Sequence, residues 1–339
     1  MKKLYLGLLV AAIALLLGAG TSRAAPAGSP WNASYFTNVV LTDQDGNKLR
    51  FYDDMLKDKV VLINFIYATC HDACPLETAK LRQVQERLAG HVGRDMFMYS
   101  ISITPEIDTP QVLKEYSEKF HVGPGWKFLT GNADDILMLR KKLGLYSDEA
   151  TEKEEGHGMS LVVGNDRTGV WLKRSSFDNP KVLARVMSDR LLNFRQARAD
   201  APSYAETATK IVLDPGEDLF RRRCQDCHTV GAGDAIGPDL AGVSERRERA
   251  WLAKFIQDPN AMIEAKDPIA TALFIKHKKL PMPRLGLNDH DVAVLIEYID
   301  RQTGKIKAAD SASATIAQDA QAQGNDHEHA HDHAHMHSH

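Results

Sequence analysis

The sequence has little of several things that would place it quickly. It carries four cysteines in 339 residues. A structural disulfide framework is more numerous and more dispersed, so these cysteines belong to something else. Charge of one sign is also missing, since the formal net charge is -3. No Lys/Arg cluster interleaved with aromatics stands out, and nothing points to nucleic acid. A membrane-spanning helix needs roughly 20 apolar residues, and the run from Leu4 to Leu17 falls short of that. There is no tandem structural repeat apart from an alternation at the extreme C terminus. The apolar and charged fractions, 43% and 26%, are ordinary for globular protein. On a prior of ~100–200 residues per domain, the chain implies two domains plus tails.

The N terminus reads as a targeting segment. Lys2 and Lys3 form a positive n-region, Leu4–Leu17 an apolar h-region, and Ser22-Arg23-Ala24 a site with small residues where a signal peptidase reads them. Residues 1–24 are therefore a cleaved signal peptide or an uncleaved N-terminal anchor. Both imply export, with the body periplasmic, either soluble or anchored at the outer face of the inner membrane. Export changes how the cysteines read, because they fall into two close pairs, Cys70/Cys74 and Cys224/Cys227.

Residues 34–198 alternate strand-like and helix-like stretches. "VVLTDQDGNKLRF" is a hairpin about Asp45-Gly46-Asn47, and "KVVLINFIY" and "MFMYSISI" are buried strands. Pro110–Phe120, Ala133–Leu143 and Pro180–Phe194 read as helices, and "SLVVG" with "VWLKR" as a late hairpin. This alternation predicts an α/β domain. Residues 199–211 read as a linker. Beyond it the strand pattern stops, and residues 212–303 predict a small all-α domain. Residues 304–339 are rich in Ala, Asp, Ser, Gln and His, and predict a disordered tail.

In the helical domain, Cys224-Gln225-Asp226-Cys227-His228 is a CxxCH motif. In an exported chain it signals covalent attachment of c-type haem, with two thioethers from the cysteines and the histidine placed on iron. The competing reading is a redox CxxC that happens to precede a histidine. The surroundings, "GEDLFRRRCQDCHTV", "GPDL" and "LPMPRLGLNDHDVAVLIEYI", resemble class I cytochrome c across the whole domain. The resemblance implies His228 and Met282 as axial ligands, and Gly216 and Phe220 packed against Leu295 and Tyr298. Met/His ligation raises the reduction potential, which suits an electron carrier. Met262 reads as a packing residue, and His277 and His290 as solvated loop histidines.

In the α/β domain, Cys70 and Cys74 lie between a strand and a helix whose start suits Pro75. A helix N-terminus lowers a thiol pKa, but a thiolate serves disulfide exchange and metal binding alike. The residues by themselves leave both open. "FIYATCHDACPLETAKL", "SISITPEIDTPQVLKEYSEKF", "WKFLTG" and Gly156-His157-Gly158 resemble the Sco/SenC family of exported, thioredoxin-like copper proteins used in cytochrome c oxidase assembly. The resemblance implies copper held by Cys70, Cys74 and His157. Soft thiolates select Cu(I), and imidazole also suits copper. Thr104 departs from the pattern, standing where the family commonly has an acidic residue. Met159 reads as packing, His71 as a tuning residue between the cysteines, and Asp72 as a loop residue suited to capping.

Seven histidines alternate at the C terminus: His327, His329, His331, His333, His335, His337 and His339. This composition suits capture of copper or another divalent metal. Together these readings predict a copper chaperone with a tethered haem c. Its partners would be an oxidase copper-centre subunit or another copper acceptor, and redox proteins. The alternatives are a thiol–disulfide oxidoreductase acting on the acceptor's cysteines, with Cys70 and Cys74 catalytic, and a redox sensor or electron-transfer module.

Overall fold

The computed structural model describes residues 31–32, 34–70, 73–146, 160–192 and 214–328. The first domain is one seven-stranded sheet ordered β2-β1-β5-β4-β3-β6-β7. Its strands are β1 (Val40–Asp43), β2 (Lys48–Arg50), β3 (Val60–Ile66), β4 (Met96–Ser102), β5 (Trp126–Gly131), β6 (Ser160–Asn165) and β7 (Val170–Ser175). β3 is parallel to β4 and antiparallel to β6, so it lies inside the sheet and every one of its residues is buried. That is why its sequence is a nearly continuous apolar run, broken only by Asn64, rather than an alternating one. Helices α1 (Ala73–Arg87), α2 (Pro110–Lys119), α3 (Ala133–Lys142) and α4 (Pro180–Arg185) surround the sheet. Leu81, Val84 and Leu88 of the α1 segment enter one core layer with Leu62, Met98 and Phe128. The result is a thioredoxin-like α/β domain.

The predicted hairpins form as expected: Val40 pairs with Arg50, and Ser160 with Ser175. Gly46 takes φ +84° in the first turn, a value that glycine adopts without penalty. β5 was not expected as a strand. Lys127 and Thr130 interrupt its apolar pattern, yet Trp126, Phe128 and Leu129 are buried. The Lys127 ammonium escapes to Asp43, 2.5 Å away.

The second domain contains α5 (Pro215–Arg223), α6 (Val243–Arg246), α7 (Arg249–Gln257), α8 (Pro259–Glu264), α9 (Pro268–Lys276) and α10 (Asp289–Glu328). The starts of α5, α8 and α9 are written in the sequence as Asp-Pro. Asp214, Asp258 and Asp267 accept hydrogen bonds from N–H groups of the first turn, while proline fills the next position. α5 crosses α10 closely, with the Phe220 and Tyr298 rings 5.4 Å apart. Phe220 and Leu295 share a core cluster, as the resemblance implied. A Cβ on Gly216 would meet the Val294 carbonyl oxygen at 2.3 Å. Gly216→Ala is expected to destabilise this domain by ~1–3 kcal/mol through overpacking, read as a lower midpoint in urea or thermal unfolding.

α10 corrects one expectation. It does not end near Thr303 but runs to Glu328, into the segment whose composition predicted disorder. The alanines and glutamines of this segment have high helix propensity. Lys307 also anchors the continuing helix to Glu245 at 2.5 Å. The linker 199–211 and residues 329–339 lie outside the described residues. Among the described residues, no helix is long and apolar enough to cross a membrane.

Candidate metal and haem centres

The thiol pair stands where β3 gives way to α1. The loop between them is held by Asp108, which is fully buried. One of its oxygens, Oδ2, accepts from Ala68 N–H at 3.0 Å, Ser102 Oγ at 2.6 Å and Thr104 Oγ1 at 3.1 Å. Thr104, the departure from the family pattern, therefore serves as a donor to a carboxylate four residues later. Sequence reasoning missed Asp108. The available signal was a small cluster of Ser, Thr and Asp after a buried strand.

Cys70 and Cys74 are both buried. The Cys74 N–H donates to Cys70 Sγ at 3.4 Å, so the helix N-terminus does aim at sulfur. The expectation of a lowered thiol pKa fails for Cys74. Its thiol is pushed well above the ordinary value by its hydrogen bond to Cys70 and by burial. The Cys74 thiol, buried beside a second sulfur, resists ionisation until a cation replaces its proton.

Behind the pair runs a buried polar chain. Trp126 Nε1 donates to Ser100 Oγ at 2.9 Å, and Ser100 Oγ to Asn64 Oδ1 at 2.7 Å. Asn64 Nδ2 then donates to Glu77 Oε1 at 2.9 Å. Glu77 lies one helical turn after Cys74 and is only 1% exposed. Burial raises its carboxyl to about 7, against the opposing pull of Ser176 and Asn64. This residue was also missed. A carboxylate three positions after Cys74, on a helix face otherwise apolar, was the clue.

The third copper ligand expected, His157, lies outside the described residues, as do Met159, His71 and Asp72. Among the described residues no cluster of three or more His, Cys, Asp or Glu side chains is arranged to hold a metal. His327 falls at the end of α10, and His329, His331, His333, His335, His337 and His339 lie outside the described residues.

In the second domain Cys224, Cys227, His228 and Met282 all line one cavity of about 600 Å³. Trp251, Leu252, Phe255 and Ile296 supply apolar wall. His228 Nδ1 lies 2.8 Å from the Pro238 carbonyl oxygen. A carbonyl only accepts, so Nδ1 carries the hydrogen and Nε2 keeps its lone pair for a metal. Burial lowers the His228 pKa, which also favours the neutral, ligating imidazole. Asp239 braces the loop. Burial acts to raise its carboxyl, yet the N–H groups of Gly231, Ala241 and Gly233 and the Thr229 hydroxyl bring it down to about 2. The donor set, the neutral histidine and the apolar enclosure fit a haem. Met262 is buried in α8 and is not part of the lining. His290 is exposed. His277 departs from expectation: it lines the cavity, with Nδ1 3.3 Å from the Ile236 carbonyl oxygen and Nε2 buried.

Gly237 has no room for a side chain, because its Cβ would stand 2.5 Å from His228 Cε1. Gly237→Ala is expected to turn the imidazole away and lower haem incorporation by ~10-fold, the scale of losing an orienting group at a metal site. The haem-to-protein ratio of the purified variant checks this.

A thioredoxin-like domain with a buried CxxxC pair is followed by a helical domain whose cavity gathers the CxxCH residues and Met282. The SCO1/SenC family profile matches residues 31–185, and that of cytochrome c matches residues 213–303. A SCO2-like protein of Rickettsia felis is 35% identical over 153 residues, covering 43% of this chain and 72% of that protein. The mitochondrial protein SCO1 of Saccharomyces cerevisiae is 35% identical over 106 residues, covering 31% of this chain and 35% of that protein. A SCO1/SenC family lipoprotein from Bacillus anthracis has a solved structure with TM-score 0.39 and 28% identity, covering 45% of this chain and 92% of that one. The chain belongs to the SCO1/SenC family, with a cytochrome c domain fused after it.

Proposed function

We propose that this protein is an exported copper chaperone that loads the copper centre of cytochrome c oxidase. Membership of the SCO1/SenC family supports the reading, as does the copper bound in ScoI of Bradyrhizobium japonicum, named so in its structure. The observation that carries it is the buried Cys70/Cys74 pair, two soft donors joined by a 3.4 Å N–H to sulfur contact at the start of a helix. Cys70, Cys74 and His157 hold the copper as cargo, and the C-terminal histidines from His327 to His339 capture it beforehand. In the second domain Cys224 and Cys227 hold haem c by thioethers, with His228 and Met282 on its iron. When bound, that haem supplies single electrons, which match the one-electron step between Cu(II) and Cu(I).

The test uses haem-loaded, reduced protein to which Cu(II) is added, with haem absorbance and the copper EPR signal followed together. Matched loss of both signals supports exchange between the centres, and independent behaviour overturns it. Transfer of copper to an apo acceptor then tests delivery. The thiol–disulfide reading keeps a place because the two sulfurs are neighbours. It requires that His157→Ala leave thiol activity intact, whereas copper delivery requires that the variant lose copper.

A further inference from the structure

The two domains meet through a polar contact that neither domain explains alone. Lys80 Nζ lies 2.7 Å from Asp226 Oδ2, with the two side chains 8% and 0% exposed. Gln83 Nε2 donates to Asp226 Oδ1 at 2.8 Å. Lys80 and Gln83 sit on α1, the helix that begins beside the thiol pair. Asp226 is the second intervening residue of the CxxCH motif. Burial acts to raise the Asp226 carboxyl, and Lys80 and Gln83 oppose it. A lysine and an aspartate are seldom buried unless they are paired.

A second, independent observation points the same way. Cys227, Ile236 and Leu280 of the haem domain pack against the core cluster of the first domain. Two first-domain residues, Pro75 and Phe120, line the haem cavity. Pro75 directly follows Cys74.

We propose that Lys80, Gln83 and Asp226 form a buried latch that docks the haem domain on the thiol domain, so that the helix starting at the Cys pair closes one side of the haem cavity. The latch makes the two centres parts of one packed unit rather than beads on a linker. A change at Cys74 is transmitted to the cavity through the adjoining Pro75. The part that concerns haem rests on the cavity reading given above, while the docking itself does not.

The experiment compares full-length, haem-loaded wild-type protein with Lys80→Met by hydrogen–deuterium exchange. The variant is expected to lose at least tenfold in protection both in α1 and in the segment carrying Cys224–His228. Protection within twofold of wild type in both segments overturns the latch. Should Lys80→Met fail to fold, Gln83→Ala is measured against the same two thresholds, because it removes one contact and leaves the ion pair. A second arm adds one equivalent of Cu(I) and records the haem absorption maximum. A displacement in wild type that is lost in the latch variant supports transmission from the thiol pair. An equal displacement in both, or none in wild type, overturns it. Wild-type protein that carries no haem at all removes the cavity reading instead, and the exchange arm then decides the latch by itself.

Discussion

Cys74→Ser is expected to lower Cu(I) affinity by well over a hundredfold without loss of haem content. The argument begins with the donor. A serine hydroxyl is hard and neutral, whereas Cu(I) is selected by soft thiolate. Loss of a group that merely orients a metal ligand already costs ~10–100-fold, and removing a ligand outright exceeds that. The substitution should fold, because serine is slightly smaller than cysteine and the Cys74 N–H still reaches Cys70 Sγ. Competition against a Cu(I) chelator measures the loss. A variant that retains wild-type affinity would rule out the thiol pair as the copper site. His157→Ala should lose less, since both thiolates remain.

The second large effect belongs to Glu77. Its carboxyl is raised from an ordinary 4.5 to about 7 by burial, so between those values the folded, metal-free protein holds a proton that the unfolded chain has released. The contribution to stability is therefore fully present below pH 4.5 and is lost as pH rises through about 7. At 1.36 kcal/mol per pKa unit, the full change is on the order of 3 kcal/mol. Glu77→Gln keeps a comparable shape and a neutral charge. Urea unfolding of the reduced, metal-free protein should then lose most of its slope across that pH range. An unchanged slope would show that Glu77 is ionised in the folded state.

Much of the architecture is legible along the chain. β3 announces itself as a strand covered on both faces because six of the seven residues from Val60 to Ile66 are apolar. The Thr-Pro, Asn-Pro and Asp-Pro pairs mark where α2, α4, α5, α8 and α9 begin. The motifs Cys70-x-x-x-Cys74 and Cys224-x-x-Cys227-His228 carry their chemistry locally, since neighbouring residues on a short backbone must lie close together. β5 escaped because its apolar positions do not repeat cleanly, and α10 outran its apolar stretch because propensity and Lys307 carry it further.

The positioning groups were not legible in the same way. Asp108 is 40 residues from the Ala68 N–H it holds, and Gln83 is 143 residues from Asp226. No periodicity links such partners, because they meet only after the sheet and the helical domain have each closed. The sequence by itself determined most of the elements and the donor types within each cysteine motif, since propensity, capping and motif spacing act within a few residues. Only the tertiary structure decided that the loop before Cys70 is pinned by a buried carboxylate, that Glu77 is buried on the helix carrying Cys74, and that Lys80 and Gln83 of that helix meet Asp226 of the CxxCH motif. Each of those outcomes depends on burial and long-range contact, which exist only once the chain is folded.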